Sequence, residues 1–126
     1  WDKAFTQATL ARVLLASGSL KDARAAADEA VRLEPYSGRA QLALGQVALR
    51  QKEEPVAERA LVRATQLEPA DGLAWLALAD ALAHQPAQAA RAVEAYQTFL
   101  KLAAASPEAG RVKKALPVLL RKTGGK

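Results

Sequence analysis

The feature that most constrains the fold is an internal repeat of 34 residues. Leu33-Glu34-Pro35 recurs as Leu67-Glu68-Pro69, at a spacing of 34 residues. In this register small and apolar residues coincide in three consecutive copies, the third after one inserted residue. A repeat of this length is one supersecondary unit that cannot bury its apolar face alone, so neighbouring units have to stack. The sequence therefore predicts an array of three like units.

The local pattern within each unit predicts two helices. Apolar residues recur at spacings of three and four, which is the period of an amphipathic helix. Composition agrees, because the 126 residues include 31 alanines but only 7 glycines and 6 prolines. Pro35 and Pro69 follow helix ends, Asp71 can cap the next helix, and Gly18 lies in a turn. We predict helices at about 3–17, 20–33, 38–51, 54–67, 72–84, 87–103 and 108–122.

The repeat resembles the tetratricopeptide repeat, whose signature is W-x2-L-G-x2-Y, then A-x3-F and a closing proline. The best first half of that signature is Trp75-x2-Leu78-Ala79-x2-Leu82, and the second unit supplies Gly45 and Pro69. The resemblance covers residues 4 to about 104 and implies an all-α, right-handed α-solenoid within a single domain, residues 1–126. The repeats are expected at about 4–37, 38–71 and 72–106. A generic alanine-rich bundle is the alternative, and it leaves the 34-residue phase unexplained.

The last segment admits two interpretations. Ser106-Pro107-Glu108 is a good helix start, with a capping residue, a proline and an acid. We expect a capping helix at about 107–122, whose Val112, Leu116, Leu119 and Leu120 cover the last repeat, followed by a tail at 123–126. The alternative is the first helix of a truncated fourth repeat, in which Pro117 would break or kink the helix.

Groups that could support catalysis are scarce. The chain has no cysteine, and its single histidine, His84, is expected on the surface near a turn. Adjacent acids such as Asp28-Glu29 do not share one helix face. There is no glycine-rich phosphate loop. The sequence therefore predicts no enzyme, no cofactor and no metal site.

The positive charge is concentrated at the C-terminal end. Residues 101–126 carry 7 Lys/Arg against 1 Asp/Glu, whereas residues 1–100 carry 11 against 12. Such a segment could touch nucleic acid or anionic lipid, but it lacks interleaved aromatic residues. We interpret it as a solubilising surface and expect no nucleic-acid partner. No apolar run approaches the roughly 18 residues of a membrane span.

Origin and compartment are constrained only weakly. The absence of Ile and Asn beside abundant Ala and Arg indicates a GC-rich, bacterial genome. The chain begins at Trp1 without a methionine, so we expect a piece of a longer protein. A cysteine-free chain suits the cytoplasm and the periplasm equally.

The resemblance also implies a partner-binding surface, because first helices of successive tetratricopeptide repeats line a concave groove. Carried over by position, the groove residues are Phe5, Arg12, Leu15, Arg39, Leu42, Gln46, Leu49, Leu73, Leu76 and Asp80. Five of them are leucines outside the intra-repeat core, so we expect an apolar or amphipathic partner segment. The other interpretation is that some of these leucines pack against neighbouring helices. One subgroup of the family grips carboxylates, but of its matching positions here only Arg12 is basic, so that clamp is not expected.

Two classes of function follow. In the first, the chain is an adaptor whose groove holds a partner peptide or helix, as in bacterial assembly, secretion or envelope-biogenesis machines. In the second, it is a structural spacer or self-association segment of a longer array, whose first helix packs against an upstream unit. The second class is motivated by the lack of an N-terminal cap over the first helix, because terminal repeats normally carry a polar outer face.

Overall fold

The computed structural model describes residues 2–123, which are helical and contain no strand. The α-helices are α1 (Lys3–Ala16), α2 (Leu20–Leu33), α3 (Gly38–Arg50), α4 (Glu54–Leu67), α5 (Gly72–Ala83), α6 (Ala89–Leu102) and α7 (Ala109–Lys122), and a 3-10 turn (Pro86–Gln88) precedes α6. The all-α prediction is confirmed, and each predicted helix end lies within two residues of the observed one.

The described residues form two compact units, which are divided in sequence between Pro69 and Ala70. The first unit contains α1 to α4. In it α1 packs against α2, α3 packs against α4, and both α1 and α2 contact α3. The second unit contains α5 to α7, and there α6 packs against both α5 and α7. The single-domain organisation of residues 1–126 stays a prediction.

Side-chain caps fix where the first helix of each repeat begins. The Asp2 carboxylate accepts the Phe5 N–H at 3.0 Å, and the Asp71 carboxylate accepts the Leu73 N–H at 3.0 Å. The Ser37 hydroxyl accepts the Ala40 N–H at 3.2 Å. Each cap satisfies a backbone N–H that has no partner inside its helix. A side-chain cap therefore fixes the start of each of α1, α3 and α5, at intervals of about one repeat.

The core of the first unit is built from small side chains. Its buried members are Ala8, Ala11, Ala23, Ala26, Ala27, Ala30, Ala40, Ala43 and Val47. Between α3 and α4, Gly45 packs against Leu61, because a Cβ added to Gly45 would clash with the Leu61 side chain. Small residues thus allow the helix backbones to come close together, and Leu61 fills the space that remains.

The core of the second unit contains larger side chains. Phe99 and Leu82 are almost fully buried, Tyr96 is buried, and Trp75 of the repeat signature is half-buried. These residues come from α5 and α6, whose packing joins the two halves of the third repeat.

Helix α7 packs against α6 through Ala109, Val112 and Leu119, all of which are buried. Leu116 is half-buried, but Leu120 is 46% exposed. The prediction that Leu120 covers the last repeat is therefore wrong, because it lies about 100° around the helix from Leu119 and faces outward.

The predicted capping residue, Ser106, lies in the turn before α7, whose N-cap is Glu108 and has no side-chain cap hydrogen bond. The Glu108 N–H donates to the Ser106 hydroxyl at 3.2 Å, and the Ala109 N–H donates to the Ser106 carbonyl at 3.0 Å. The helix continues past Pro117 to Lys122. Of the predicted tail only Thr123 is described, and residues 124–126 lie outside the described part of the chain. In residues 2–123 no helix is both long and apolar enough to cross a membrane.

Candidate functional site

The predicted groove residues of the first unit form pairs from equivalent repeat positions. Phe5 on α1 corresponds to Arg39 on α3, and Arg12 and Leu15 correspond to Gln46 and Leu49. Since α1 contacts α3 and the spacings of three and four keep each set on one helix face, these pairs succeed one another along the two helices. We call this surface of the first unit the α1/α3 face.

The first pair of the α1/α3 face is in direct contact. The guanidinium carbon of Arg39 lies 4.4 Å from the centroid of the Phe5 ring, which is cation–π stacking. Arg39 is exposed, and Phe5 retains 47% of its accessible surface. The sequence predicted both residues as site residues but gave no signal of their contact, because they lie on different helices.

The remaining members of the face differ in exposure. Arg12 is exposed, whereas Leu15, Gln46 and Leu49 are half-buried. Leu42 is only 3% exposed. Its side chain is therefore packed inside the unit. This agrees with the interpretation that some of the predicted leucines pack against neighbouring helices.

The three predicted residues of the second unit lie on α5 and also differ. Leu73 is 42% exposed, whereas Leu76 is buried. The Asp80 carboxylate accepts the Tyr96 hydroxyl at 2.5 Å, and its two oxygens accept Arg111 N–H groups at 3.1 and 3.2 Å. Asp80 is thus engaged inside the second unit, by partners on α6 and α7.

The Asp80 network also shifts the pKa values of its partners. Burial, reinforced by the hydrogen bond to Asp80 and by its charge, raises the pKa of the Tyr96 hydroxyl well above its usual range. The hydrogen bond to Asp80 is the largest of the interactions that raise the pKa of Arg111. Tyr96 therefore stays neutral and Arg111 stays charged. The hydrogen bonds of these two residues to Asp80 join α5, α6 and α7. The members of this network are 16 and 31 residues apart, and the local helix pattern carried no signal of it.

The single histidine of the chain lies at a helix end. His84 is exposed and forms the C-cap of α5. Within residues 2–123 no three His, Asp or Glu side chains are grouped so that they could hold a metal ion.

A second apolar surface lies on another side of α1. Leu10 is 42% exposed and Val13 is 60% exposed. At the equivalent positions of α3, Val47 is fully buried and Leu44 packs against the same cluster as the alanines of α2. The same repeat position is therefore covered on α3 and open on α1.

Part of the chain matches a known repeat family. Residues 8–60 match the tetratricopeptide repeat family model. Among curated proteins, no sequence matches this chain significantly.

Solved structures share the fold at low sequence identity. The Yersinia enterocolitica type III secretion chaperone SycD, in complex with a peptide of the translocator YopD, is 20% identical with a TM-score of 0.83, over 98% of this chain and 96% of that one. The first tetratricopeptide domain of Spaghetti (RPAP3), bound to the HSP90 peptide SRMEEVD, is 17% identical with a TM-score of 0.83, over 97% and 96%. A mutant O-GlcNAc transferase of Thermobaculum terrenum is 21% identical with a TM-score of 0.79, over 94% of this chain but 22% of that one.

This fold is in general a non-catalytic one that binds other proteins, and two of these structures hold a peptide. Residues 8–60 therefore match the tetratricopeptide repeat, and the chain shares the all-α solenoid fold of solved tetratricopeptide-repeat structures.

Proposed function

We propose that the chain is a scaffold or adaptor that binds a peptide or helix of a partner protein and catalyses no reaction itself. The observation that carries the proposal is the α1/α3 face, where an exposed aromatic ring stacked under Arg39 is followed by half-buried side chains. Aromatic and arginine side chains are the residues that most often dominate binding energy at protein interfaces. Peptides bound to the similar structures support the same reading of the fold.

The chemistry of the face favours an amphipathic segment. Leu15 and Leu49 offer apolar surface that is only partly covered, and Phe5 offers more at the other end of α1. Leu42 is buried and need not contact the partner. A segment with apolar residues on one side would bury this surface, and burial stabilises the complex by about 25 cal/mol per Å² of apolar surface removed from water.

The second unit contributes candidate contacts of its own. Leu73 is exposed and is the better candidate for contact with the partner. Leu76 is buried, as Leu42 is in the first unit. We retain Asp80 as a candidate, although its carboxylate already serves Tyr96 and Arg111. From the bacterial composition and the resemblance to tetratricopeptide repeats, we propose that the chain is part of a larger bacterial assembly or envelope-associated protein, with a protein partner and no nucleic acid.

The test is selection of binders from a displayed library of random peptides, followed by affinity measurements on the enriched peptides. Phe5→Glu places a charge in the α1/α3 face and should weaken binding by about ten-fold or more. Val13→Glu is the matched control, because it makes the same change at an exposed position elsewhere on α1. Failure to enrich any peptide, or equal weakening by both variants, would contradict the proposal.

A second candidate function rests on Leu10 and Val13. Because the equivalent side of α3 is covered by α2, the exposed side of α1 fits a spacer or self-association segment that packs on another repeat. Sedimentation at increasing concentration separates the two functions. A mass that rises with concentration, and that Val13→Glu returns to a single chain, supports self-association. A single-chain mass throughout counts against it.

A further inference from the structure

The α1/α3 face carries two positive charges that the described chain does not neutralise. In the first unit, Arg24 pairs with Asp28 and Glu53, and Arg32 pairs with Glu29. Arg12 and Arg39, by contrast, have no carboxylate oxygen within 4.0 Å among residues 2–123. Both are exposed and both belong to the proposed binding face. The face therefore has unsatisfied charge as well as unsatisfied apolar surface.

Arg39 is oriented before any partner arrives. Its guanidinium carbon lies over the Phe5 ring, 4.4 Å from the centroid, and this contact restrains the side chain. A guanidinium of this kind matches a carboxylate with two parallel hydrogen bonds. Asp2 lies at the same end of α1, but its carboxylate accepts the Phe5 N–H as the helix cap.

Arg12 lies two helical turns further along the same face. Seven residues separate Phe5 from Arg12, which at 1.5 Å per residue is about 10 Å along the helix axis. Between the two levels lie Ala8 and Leu42, both buried, so no polar group of the face intervenes there. Beyond Arg12 come Leu15 and Leu49. The level of Arg12 is therefore followed by a level of half-buried apolar side chains.

We infer that the partner segment is acidic as well as amphipathic, with one carboxylate side chain opposite Arg39, a second opposite Arg12, whose level lies about 10 Å further along the axis of α1, and apolar side chains beyond Arg12. This inference rests on the proposed function and specifies its ligand. The carboxylates are side chains within the segment, so no free C-terminus is required.

The same peptide library tests the inference through the composition of the peptides it enriches. The native chain should enrich peptides that combine apolar residues with Asp or Glu. The double variant Arg12→Gln with Arg39→Gln should still enrich apolar peptides but should lose the acidic bias. Arg59→Gln, at an exposed arginine of α4, is the matched control and should keep the bias.

One enriched peptide then gives the quantitative test. Replacing its acidic residues by their amides should weaken binding to the native chain by about ten-fold, and should change binding to the double variant little. Added salt should weaken only the native, acidic pairing.

The outcomes separate the inference from the proposed function. Apolar peptides enriched without acidic bias would overturn the inference and leave the function standing. An acidic bias that survives in the double variant would also overturn it, because other cations would then be responsible. No enrichment from the native chain would overturn both.

Discussion

The first and third repeats fill the same repeat positions with side chains of different size. Ala27 and Ala30 on α2 correspond to Tyr96 and Phe99 on α6, and all four are buried. The first repeat therefore gains its packing from close approach of helix backbones, whereas the third gains it from two rings that fill a wider space. Both solutions satisfy the same 34-residue pattern.

The difference teaches how each repeat should fail. A core made of alanine has no side chain whose removal leaves a large hole, but it has no room for additional atoms. A core filled by rings loses much when one ring is removed. We expect the closely packed small residues of the first unit to be sensitive to enlargement and the rings of the second unit to be sensitive to deletion.

The largest expected effect is from Phe99→Ala in the second unit. Phe99 is fully buried, so the substitution should lower the free energy of unfolding by about 3–5 kcal/mol. Urea unfolding followed by circular dichroism measures it. The control is Phe5→Ala, because Phe5 is half exposed and leaves no cavity. Similar losses for the two phenylalanines would remove the basis of the comparison.

The next effect is from Gly45→Ala in the first unit. The new methyl would meet the buried Leu61 side chain, and overpacking of this kind costs about 1–3 kcal/mol, offset in part by the better helix propensity of alanine. The control is Gly110→Ala, at an exposed glycine of α7 whose added methyl would meet nothing within 4 Å. Thermal unfolding of both variants measures the difference. A Gly45→Ala chain as stable as the Gly110→Ala chain would show that α3 and α4 can separate without cost.

A ring in the core also brings a polar atom that needs a partner, as Tyr96 shows. Tyr96→Phe removes the hydroxyl bound to Asp80 and should cost about 1–2 kcal/mol. Because folding raises the pKa of Tyr96, its contribution is complete below the unfolded tyrosine pKa of about 10 and is lost as the pH rises above it.

Thermal unfolding at a pH below and a pH above about 10 tests both statements. The native chain should lose stability at the higher pH more steeply than the Tyr96→Phe chain. Tyr36→Phe is the control, since Tyr36 is 76% exposed. If the Tyr36 and Tyr96 variants respond to pH alike, the buried hydroxyl is not the titrating group that matters.

The helices of this chain were predictable because their signals are local. Alanine and leucine at spacings of three and four, Asp71 as a cap and prolines after helix ends act within one or two turns, so they fixed each helix end to within two residues. The 34-residue phase then gave the pairing of helices, since each half-repeat can bury its stripe only on the next.

The candidate site was less predictable because exposure depends on helices that lie elsewhere. Leu42 and Leu73 were both predicted to line the groove, yet Leu42 is buried and Leu73 is 42% exposed. Nothing near Asp80 in sequence announces Tyr96 and Arg111, which reach it from two other helices. Repeat phase did hold one unused signal, because Lys52 lies 34 residues after Gly18 and so shares its place in the turn.

That turn gives the last and smallest test of the comparison. Gly18 and Lys52 have φ values of 86° and 63°, in the left-handed region, which costs a residue with a side chain about 1 kcal/mol. The next equivalent position is Pro86, whose ring excludes a positive φ, and there the chain forms a 3-10 turn instead.

Lys52→Gly should therefore stabilise the first unit, by up to about 1 kcal/mol, since relief of the strained backbone is partly offset by the greater freedom of glycine in the unfolded chain. Lys52→Ala keeps the strain while removing the charge, so it serves as the control and should change stability little. Gly18→Ala should move in the opposite direction to Lys52→Gly. If all three variants unfold at the same temperature, the left-handed turn does not lower the stability of the first two repeats. The 3-10 turn of the third repeat then brings no advantage in backbone strain.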